Sequence, residues 1–510
     1  MTSRGILLRE ILLRGTLRCA GLCVAAALAL TLPACKVGPN YHRPDAPVPT
    51  AYKELPADTA VWKPSTPQDS KDRGEWWTIF NDAELDSLER QVNVSNQNVK
   101  QYEAEYAQAV ALLKEAQSQL FPTIGITGGV TRGGGGGGTT STASAVGSGP
   151  GGTARTEFKL EPSISWQPDI WGSIRRQVES RKAGVQVSQA DLANAQLSAQ
   201  ATLAADYFDL RAADSLRRIL SDSVKEYTRA LEITQHQLAA GTASNGDIAA
   251  AQAQLQAAQA QWIAVDQQRG TYEHAIAVLT GHLPSEITVP EAPLMSTVPE
   301  IPVEVPSTLL ERNPAIAAAE RQMQVESALI GVAVGAYFPQ ITLSALGGYA
   351  GDPLSQLFNI GNRIWSLGAT ATDTVYDFGN RSAQVRAARA TYDQYVASYR
   401  QTVLSGFQQV EDELLALRVL QHEGQFQSEA VKSAKTAADV ALNEFSAGTV
   451  AYTTVITANQ TLLADEQSAL AIQQNRLVAS VTLIEALGGG WDTKRLDSLN
   501  RKPSRDLDQQ

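Results

Sequence analysis

Cysteine, histidine, aromatic residues and basic runs are all scarce in this chain, and each shortage excludes something. There are three cysteines in 510 residues, and Cys19 and Cys23 fall in a leader-like segment. Cys35 is then alone, so neither an internal disulfide nor a cysteine metal cluster can form. The five histidines are scattered; the closest pair, His274 and His282, is eight apart and reads as surface. No His-Glu-x-x-His, no Gly-x-Ser-x-Gly and no phosphate loop occurs. The six glycines at 133–138 are followed by no Gly-Lys-Ser/Thr, so they read as a solvated loop. The chain therefore reads as no enzyme, with no resident cofactor or metal. A net charge of −11 without a basic block makes nucleic acid a poor partner. Aromatics at 6 % leave helix packing to Ala and Leu. The longest apolar run, Leu22–Leu32, is too short for a secure lone transmembrane helix.

Proline is missing from two long stretches. Gly172 to Gly241 spans 69 positions rich in Ala, Gln, Leu, Glu and Arg, which are good helix formers. Apolar or small residues recur at sevens: Val178, Val185, Leu192 and Ala199, then Leu203 and Leu210, then Val224, Leu231 and Leu238. Such a helix is roughly 100 Å long, too long for one compact domain, and needs like partners beside it. Gly379 to Gly448 repeats the stretch, and both copies end on Ala-Gly-Thr. The offset of 207 holds again between the turns at Gly281 and Gly488, while the Phe-Pro pairs at Phe121 and Phe338 are offset by 217. Equal spacing through three landmarks marks a tandem duplication.

Each repeat also carries two stretches of period two. Ile124, Ile126 and Val130 alternate, as do Phe158, Leu160, Ile164 and Trp166; in the second copy Ile341, Leu343, Ala345 and Tyr349 alternate, as do Trp365, Leu367, Ala369 and Ala371. These read as β-hairpins, with Trp166, Trp171, Tyr349, Trp365, Tyr376 and Phe378 clustered near strand ends as membrane-interface aromatics. One chain thus offers four strands. Closed transmembrane barrels start at about eight, so strands in lipid require several chains, and three would supply twelve.

The organisation predicted is a leader at 1–34, an extended segment at 35–81 and repeat 1 over 82–283. In repeat 1 a helix runs from Asp82 to about Leu120, a hairpin covers about 122–168, a long helix 172–238 and a return helix 244–280. A proline-rich linker occupies 284–306. Repeat 2 spans 307–490, with a helix to Tyr337, a hairpin at about 338–377, a long helix at 380–446 and a return helix at 451–487; a polar tail follows at 491–510. Four arginines and the apolar run lead to Leu32-Pro33-Ala34-Cys35, which resembles a bacterial lipoprotein processing box. Removal of that leader leaves a net charge of −14.

Several segments together carry a family resemblance: Cys35 with VGPNYHRP after it, WWTIFNDAELDSL, FPTIGITGG, PDIWGSIRRQ, LLERNPAIAAAERQM, FPQITL and EALGGGW. The chain resembles the outer membrane factors, TolC-like trimeric exit ducts, and in particular the OprM/NodT-type lipoprotein branch. The resemblance implies a homotrimer whose twelve-stranded outer-membrane β-barrel is continuous with a periplasmic α-helical barrel. It implies a diacylglycerol and a palmitate-type N-acyl group on Cys35. It implies a periplasmic membrane-fusion adaptor and an inner-membrane pump, of RND or another type, as partners, with small drugs or toxic compounds as cargo. Adaptor contact maps onto the tips Ala240, Gly241 and Thr242, and Ala447, Gly448 and Thr449. The pore constriction maps onto Phe445, Thr453, Thr454, Thr457 and Gln460. Relatives commonly place aspartate there; this chain has none, so a neutral constriction is expected. Asn313-Pro314-Ala315 stands where the family usually shows Arg-Pro-Asp, which bears on a helix-start contact. A protein-secretion exit duct shares the architecture. A non-spanning, lipid-anchored coiled-coil scaffold would share the long helices but has no use for the hairpins.

Overall fold

The structure is a computed structural model that describes residues 36–45, 49, 52–54, 74–133, 155–299, 301 and 312–489. The leader, Cys35, the tip of the first hairpin loop, the start of repeat 2 and the polar tail lie outside the described residues.

After a 3-10 turn at Trp76–Phe80, the elements run α1 (Ala83–Ser95), α2 (Gln97–Ser118), β1 (Thr123–Gly133), β2 (Arg155–Trp166), α3 (Ser173–Ala239) and α4 (Asn245–Leu279). The second copy follows as α5 (Pro314–Gly335), β3 (Gln340–Gly351), β4 (Arg363–Thr372), α6 (Asn380–Ser446) and α7 (Tyr452–Ala486). The duplication is visible in the lengths. The long helices α3 and α6 are 67 residues each, α4 and α7 are 35 each, and α2 and α5 are 22 each.

One expected helix is two. The stretch from Asp82 to Leu120 breaks at Asn96, whose extended backbone (φ −61°, ψ 124°) ends α1. The same residue starts α2, because its Oδ1 accepts from the amides of Asn98 (2.9 Å) and Val99 (3.1 Å). Capping by a short amide side chain is a local competitor to helix continuation, and no proline announces it.

The chain divides into two compact units. The first comprises residues up to Tyr41, Leu112–Lys182 and Gln324–Tyr392. It holds a four-stranded antiparallel sheet in the order β1-β2-β3-β4. Register places Ile124 opposite Ile164, Val130 opposite Phe158, Ile164 opposite Ala345, Trp166 opposite Leu343, and Ala345 opposite Leu367. Because side chains alternate along a strand, all of these share one face. The other face carries Thr127 opposite Glu161, Gly129 opposite Lys159, and Ser344 opposite Gly368. Each hairpin leads into its long helix through the same device. Asp169 accepts from the amides of Ile174 and Arg175 and from Arg175 Nε. Asp377 accepts from the amides of Gly379 and Arg381 and from Arg381 Nε.

The second unit comprises His42–Ala111, Ala183–Met323 and the chain from Asp393 onward. Its aromatic centre gathers residues of the WWTIF segment. Trp77 is fully buried, Phe80 packs on Phe208 at 4.9 Å, and Trp76 Nε1 donates to Gln200 Oε1 at 3.1 Å. Asp82, the N-cap of α1, also accepts from the Tyr207 hydroxyl at 2.6 Å, which ties that helix start to α3. The expected seam on α3 is partly displaced. Val185, Leu203 and Leu210 are buried, but Val178, Leu192, Ala199, Val224, Leu231 and Leu238 are half-buried. The buried line runs instead through Ala183, Ala190, Leu197, Ala201, Ala204, Phe208, Leu220, Tyr227 and Ala230. Alanine and glutamine are weak indicators of a helix face, so several lines of sevens were available to this sequence.

In the same unit the start of the linker is strapped down. Asp214 on α3 accepts from Arg269 Nε (2.8 Å), Arg211 Nη1 (3.3 Å) and the Ala292 amide (3.1 Å). Glu273 accepts from the Val289 amide at 2.8 Å. Toward the N-terminus of the unit, the Glu411 carboxylate accepts from the amides of Lys53 (2.7 Å) and Glu54 (3.0 Å), and Arg43 Nη2 donates to the Tyr399 hydroxyl at 3.0 Å. The N-terminal segment holds no helix or strand where it is described, and is bound to the unit.

Candidate functional site

The two tips are built alike. After α3, the Gly241 amide donates to the Leu238 carbonyl (2.9 Å) and the Thr242 amide to that of Gln237 (2.8 Å); after α6, Gly448 donates to Phe445 (2.9 Å) and Thr449 to Glu444 (2.9 Å). These bonds satisfy carbonyls left open at a helix end, and they need a residue at positive φ. Gly241 and Gly448 supply it at +75° and +74°. Nothing lies within 4 Å of where a Cβ would stand on either glycine, so each is selected by backbone conformation alone. Ala240, Gly241 and Thr242 are exposed, as are Ala447, Gly448 and Thr449.

Beyond the turns the tips differ. Ser244 and Asp247 form a reciprocal capping box at the start of α4. The Ser244 amide and hydroxyl hold the Asp247 carboxyl below its usual range, so this carboxylate is committed to the helix start. At the start of α7, Ala451 offers no side-chain cap.

The five expected constriction residues separate into two groups. Phe445 is buried, in a cluster with Ala230, Ala251, Ala441, Tyr452 and Val455. Its ring lies 5.3 Å from that of Tyr452. Phe445, expected at the constriction, is within this chain a packing element joining α3, α4, α6 and α7. Burial, and then the neighbouring Tyr227, push the Tyr452 hydroxyl up to about 12, so it stays neutral. Thr453, Thr454, Thr457 and Gln460 are exposed. The three threonines line one open groove with Ala434, Ala437, Ala441, Ala458 and Thr461, and that groove contains no charged side chain. Thr457 Oγ1 donates to the Thr453 carbonyl of its own helix at 3.0 Å.

Two amide contacts join the tip regions, and sequence reasoning found neither. Gln460 Nε2 donates to Gln254 Oε1 at 3.1 Å, linking α7 to α4. Gln237 Nε2 donates to the Phe445 carbonyl at 3.0 Å, linking α3 to α6. The available signal was positional: residues 254 and 460 fall within one residue of the repeat offset.

The aromatics of the strand-bearing unit also separate. Trp365, Tyr376 and Phe378 are 71 %, 73 % and 89 % exposed, and Trp166 is 37 % exposed while Nε1 donates to the Leu120 carbonyl. Tyr349 meets Phe358 at 5.5 Å. Trp171 is instead turned into its own chain. It stacks on Phe338 at 4.9 Å and donates to the Pro339 carbonyl at 2.9 Å. Sequence reasoning missed Phe358 and Ile360, both strongly exposed in the β3–β4 connection. They lie between the two alternating runs, where period-two patterning gives no signal.

Among the described residues no helix is long and apolar enough to cross a membrane, and no cluster of three or more His, Cys, Asp or Glu could hold a metal. The apolar strand face is nonetheless open: Ile124 and Ile126 are each 73 % exposed and Leu367 76 %.

Comparison with known proteins agrees with this geometry. The chain is 28 % identical over 428 residues to the pyoverdine export outer membrane protein OpmQ of Pseudomonas aeruginosa, covering 84 % of this chain and 90 % of that one. It is 27 % identical over 480 residues to the toluene efflux pump outer membrane protein TtgF of Pseudomonas putida, covering 92 % and 97 %. Among solved structures, the outer-membrane channel OprN superposes with a TM-score of 0.81 at 27 % identity, over 90 % of this chain and all of that one. The CmeC outer membrane channel of Campylobacter jejuni gives the same TM-score at 21 % identity, over 92 % and 99 %, and so shares the fold. The family model for outer membrane efflux proteins matches residues 88–282 and 305–489, one match on each repeat. The chain therefore belongs to the outer membrane efflux protein family, a family of channels and not of enzymes.

Proposed function

We propose that this protein is the outer-membrane exit duct of a tripartite efflux system, passing small drugs or toxic compounds delivered by an inner-membrane pump and a periplasmic adaptor. One observation carries the reading: a four-stranded sheet with one apolar face, open to solvent, and two edge strands, β1 and β4, that pair with nothing beyond the sheet among the described residues. Unpaired backbone groups are costly in hydrocarbon, so a spanning sheet must close. Three copies supply twelve strands, β1 of one pairing with β4 of the next. The face with Glu157, Lys159 and Glu161 then lines water, and the face with Ile124, Ile126 and Leu367 meets lipid.

The long helices would form the periplasmic part, with the tips at Gly241 and Gly448 offered to the adaptor. The export and efflux relatives support small-molecule cargo. Acylation of Cys35 adds a second hold on the membrane; the strands remain the stronger one. Thr453, Thr454 and Thr457 form the narrow point, with no acidic ring.

The test is direct. Purified protein should run as a heat-dissociable trimer and give single-channel currents in planar bilayers, with little block by divalent cations. Deletion should sensitise cells to drugs, and the intact gene should restore resistance. A folded, water-soluble monomer without channel activity would overturn the reading.

A further inference from the structure

The residues that directly follow Cys35 are held in a socket that the fold of the repeat does not require. Arg176, on the first turns of α3, is 1 % exposed. Its Nε donates to the Val37 carbonyl at 2.9 Å, and its Nη2 to the Gly38 carbonyl at 3.0 Å and to Asn40 Oδ1 at 3.1 Å. Its Nη1 donates to Glu179 Oε2 at 2.9 Å, and the same carboxylate pairs with Lys36 Nζ at 2.5 Å. The Val37 amide donates to the Trp171 carbonyl at 3.1 Å. All of these groups belong to the strand-bearing unit.

The fit is close. Gly38 sits at φ +89°, and a Cβ there would stand 2.5 Å from Gly331 Cα. A Cβ on Gly331 would stand 2.8 Å from the Arg176 side chain. Gly331 thus lies against both the segment's Gly38 and the side-chain stem of Arg176.

The duplication supplies an internal control. The offset of 207 pairs Arg176 with Ala383 and Glu179 with Arg386, and the offset of 217 pairs Gly331 with Lys114. All three socket residues differ from their counterparts, although the helices around them have equal lengths. The socket joins α3 to α5, and the counterpart positions on α6 and α2 carry none of its three residues. What the α3–α5 side has in addition is the segment 36–40 lying on it.

We propose that Arg176, Glu179 and Gly331 form a built-in receptor for residues 36–40, the first residues of the mature chain after Cys35. The planar guanidinium suits the task, because its fork spans two carbonyls and a side-chain amide at once. The role of residue 35 as the first mature residue rests on the processing reading above; the receptor itself is tested separately.

The probe is trypsin on the purified full-length protein in detergent. Lys36 precedes Val37 and is a cleavable site, whereas Arg43 precedes Pro44 and is not. With Lys36 paired and Val37 bonded, the wild type should resist cleavage at this bond. Arg176→Ala should be cut there on the order of tenfold faster or more, since three charged hydrogen bonds to the segment are lost, two of them to its backbone. Arg176→Lys keeps the charge and loses the fork, and should fall between. Gly38→Ala changes the ligand and leaves the receptor intact, so it should also free the bond while the rest of the digest is unchanged; it serves if Arg176→Ala fails to assemble. Cys35→Ser should stay resistant. Equal cleavage of the native and urea-denatured wild type, or full resistance in both Arg176→Ala and Gly38→Ala, overturns the receptor. A wild-type chain that resists trypsin yet carries no acyl group by mass spectrometry supports the receptor and overturns acylation alone.

Discussion

Asn96 Nδ2 donates to the carbonyl of Leu279 at 2.8 Å, across 183 residues of chain. Asn313 Nδ2 makes the same bond to Ala486 at 3.1 Å. Each asparagine also caps its own helix through Oδ1, Asn96 to the amides of Asn98 and Val99, Asn313 to those of Ala315 and Ile316. One side chain therefore starts a helix and closes the end of another, once in each repeat. The departure from the family pattern at Asn313-Pro314-Ala315 leaves this helix-start contact in place.

Replacing Asn96 or Asn313 by alanine should cost about 1–3 kcal/mol, a cap plus a buried hydrogen bond. Asn96→Asp should keep the cap and lose the donor, and so cost less than Asn96→Ala. Thermal melting in detergent ranks the three.

The turn glycines should divide into a tolerant pair and an intolerant one. At the tips, Gly241→Ala and Gly448→Ala meet open space and should cost only the positive-φ penalty, about 1 kcal/mol. At the far ends of the return helices, a Cβ on Gly281 would stand 2.3 Å from the Ser95 carbonyl oxygen, and one on Gly488 2.2 Å from that of Arg312. Those two substitutions should reduce the yield of assembled protein severely, read as the heat-dissociable band per cell.

Stability should fall as pH rises, through Glu89. This carboxyl is fully buried on α1, with no hydrogen-bond partner for either oxygen among the described residues. Burial, and then the nearby Asp86 charge, push it up to about 9. The unfolded chain releases this proton near pH 4.3, while the folded chain keeps it. Between those two values the native state binds more protons, so Glu89 removes up to ~1.4 kcal/mol of stability per pH unit, levelling off above about 9. Glu89→Gln should flatten that slope, with its gain over wild type small at pH 5 and large at pH 8. Melting temperatures across that range decide it.

Asp214 holds two arginines and the Ala292 amide with its side chain only 3 % exposed. Asp214→Asn should cost about 3–5 kcal/mol, because two guanidinium groups lose their buried counter-charge. Faster proteolysis within the 284–306 linker is the accompanying sign.

Converting the neutral groove should change what it binds. Thr454→Asp places a carboxylate beside Thr453 and Thr457 in a site with no charge of its own. Divalent-cation block of single-channel current should appear in this variant and be weak in wild type.

Long, regular features were legible in the sequence, and contacts between distant residues were not. Helix α3 was drawn from Gly172 and Gly241 to within a residue or two, because absent proline and two positive-φ glycines bound it. The strands were legible through period two, and their register now shows why: Ile124, Ile164, Ala345 and Leu367 form one row across the sheet. The break at Asn96 was missed because asparagine within a helical pattern is ordinary until its bond to Leu279 is seen. Phe445 was placed at the constriction by position, and its burial, which depends on Ala230 and Ala251 some 200 residues away, was not legible. Arg176 gave no sign of its partner, since it stands next to another arginine and its ligand is backbone. Glu89 lies on an amphipathic helix where a charged residue would ordinarily face water.

The edges of β1 and β4, unpaired among the described residues, have a genetic consequence. If each copy completes its neighbours, a variant with sound edges and a blocked interior still enters mixed assemblies and disables the wild-type subunits it joins. Such alleles should be dominant when co-expressed with the normal gene, whereas alleles that spoil an edge strand should be recessive, because their products are left out of the ring.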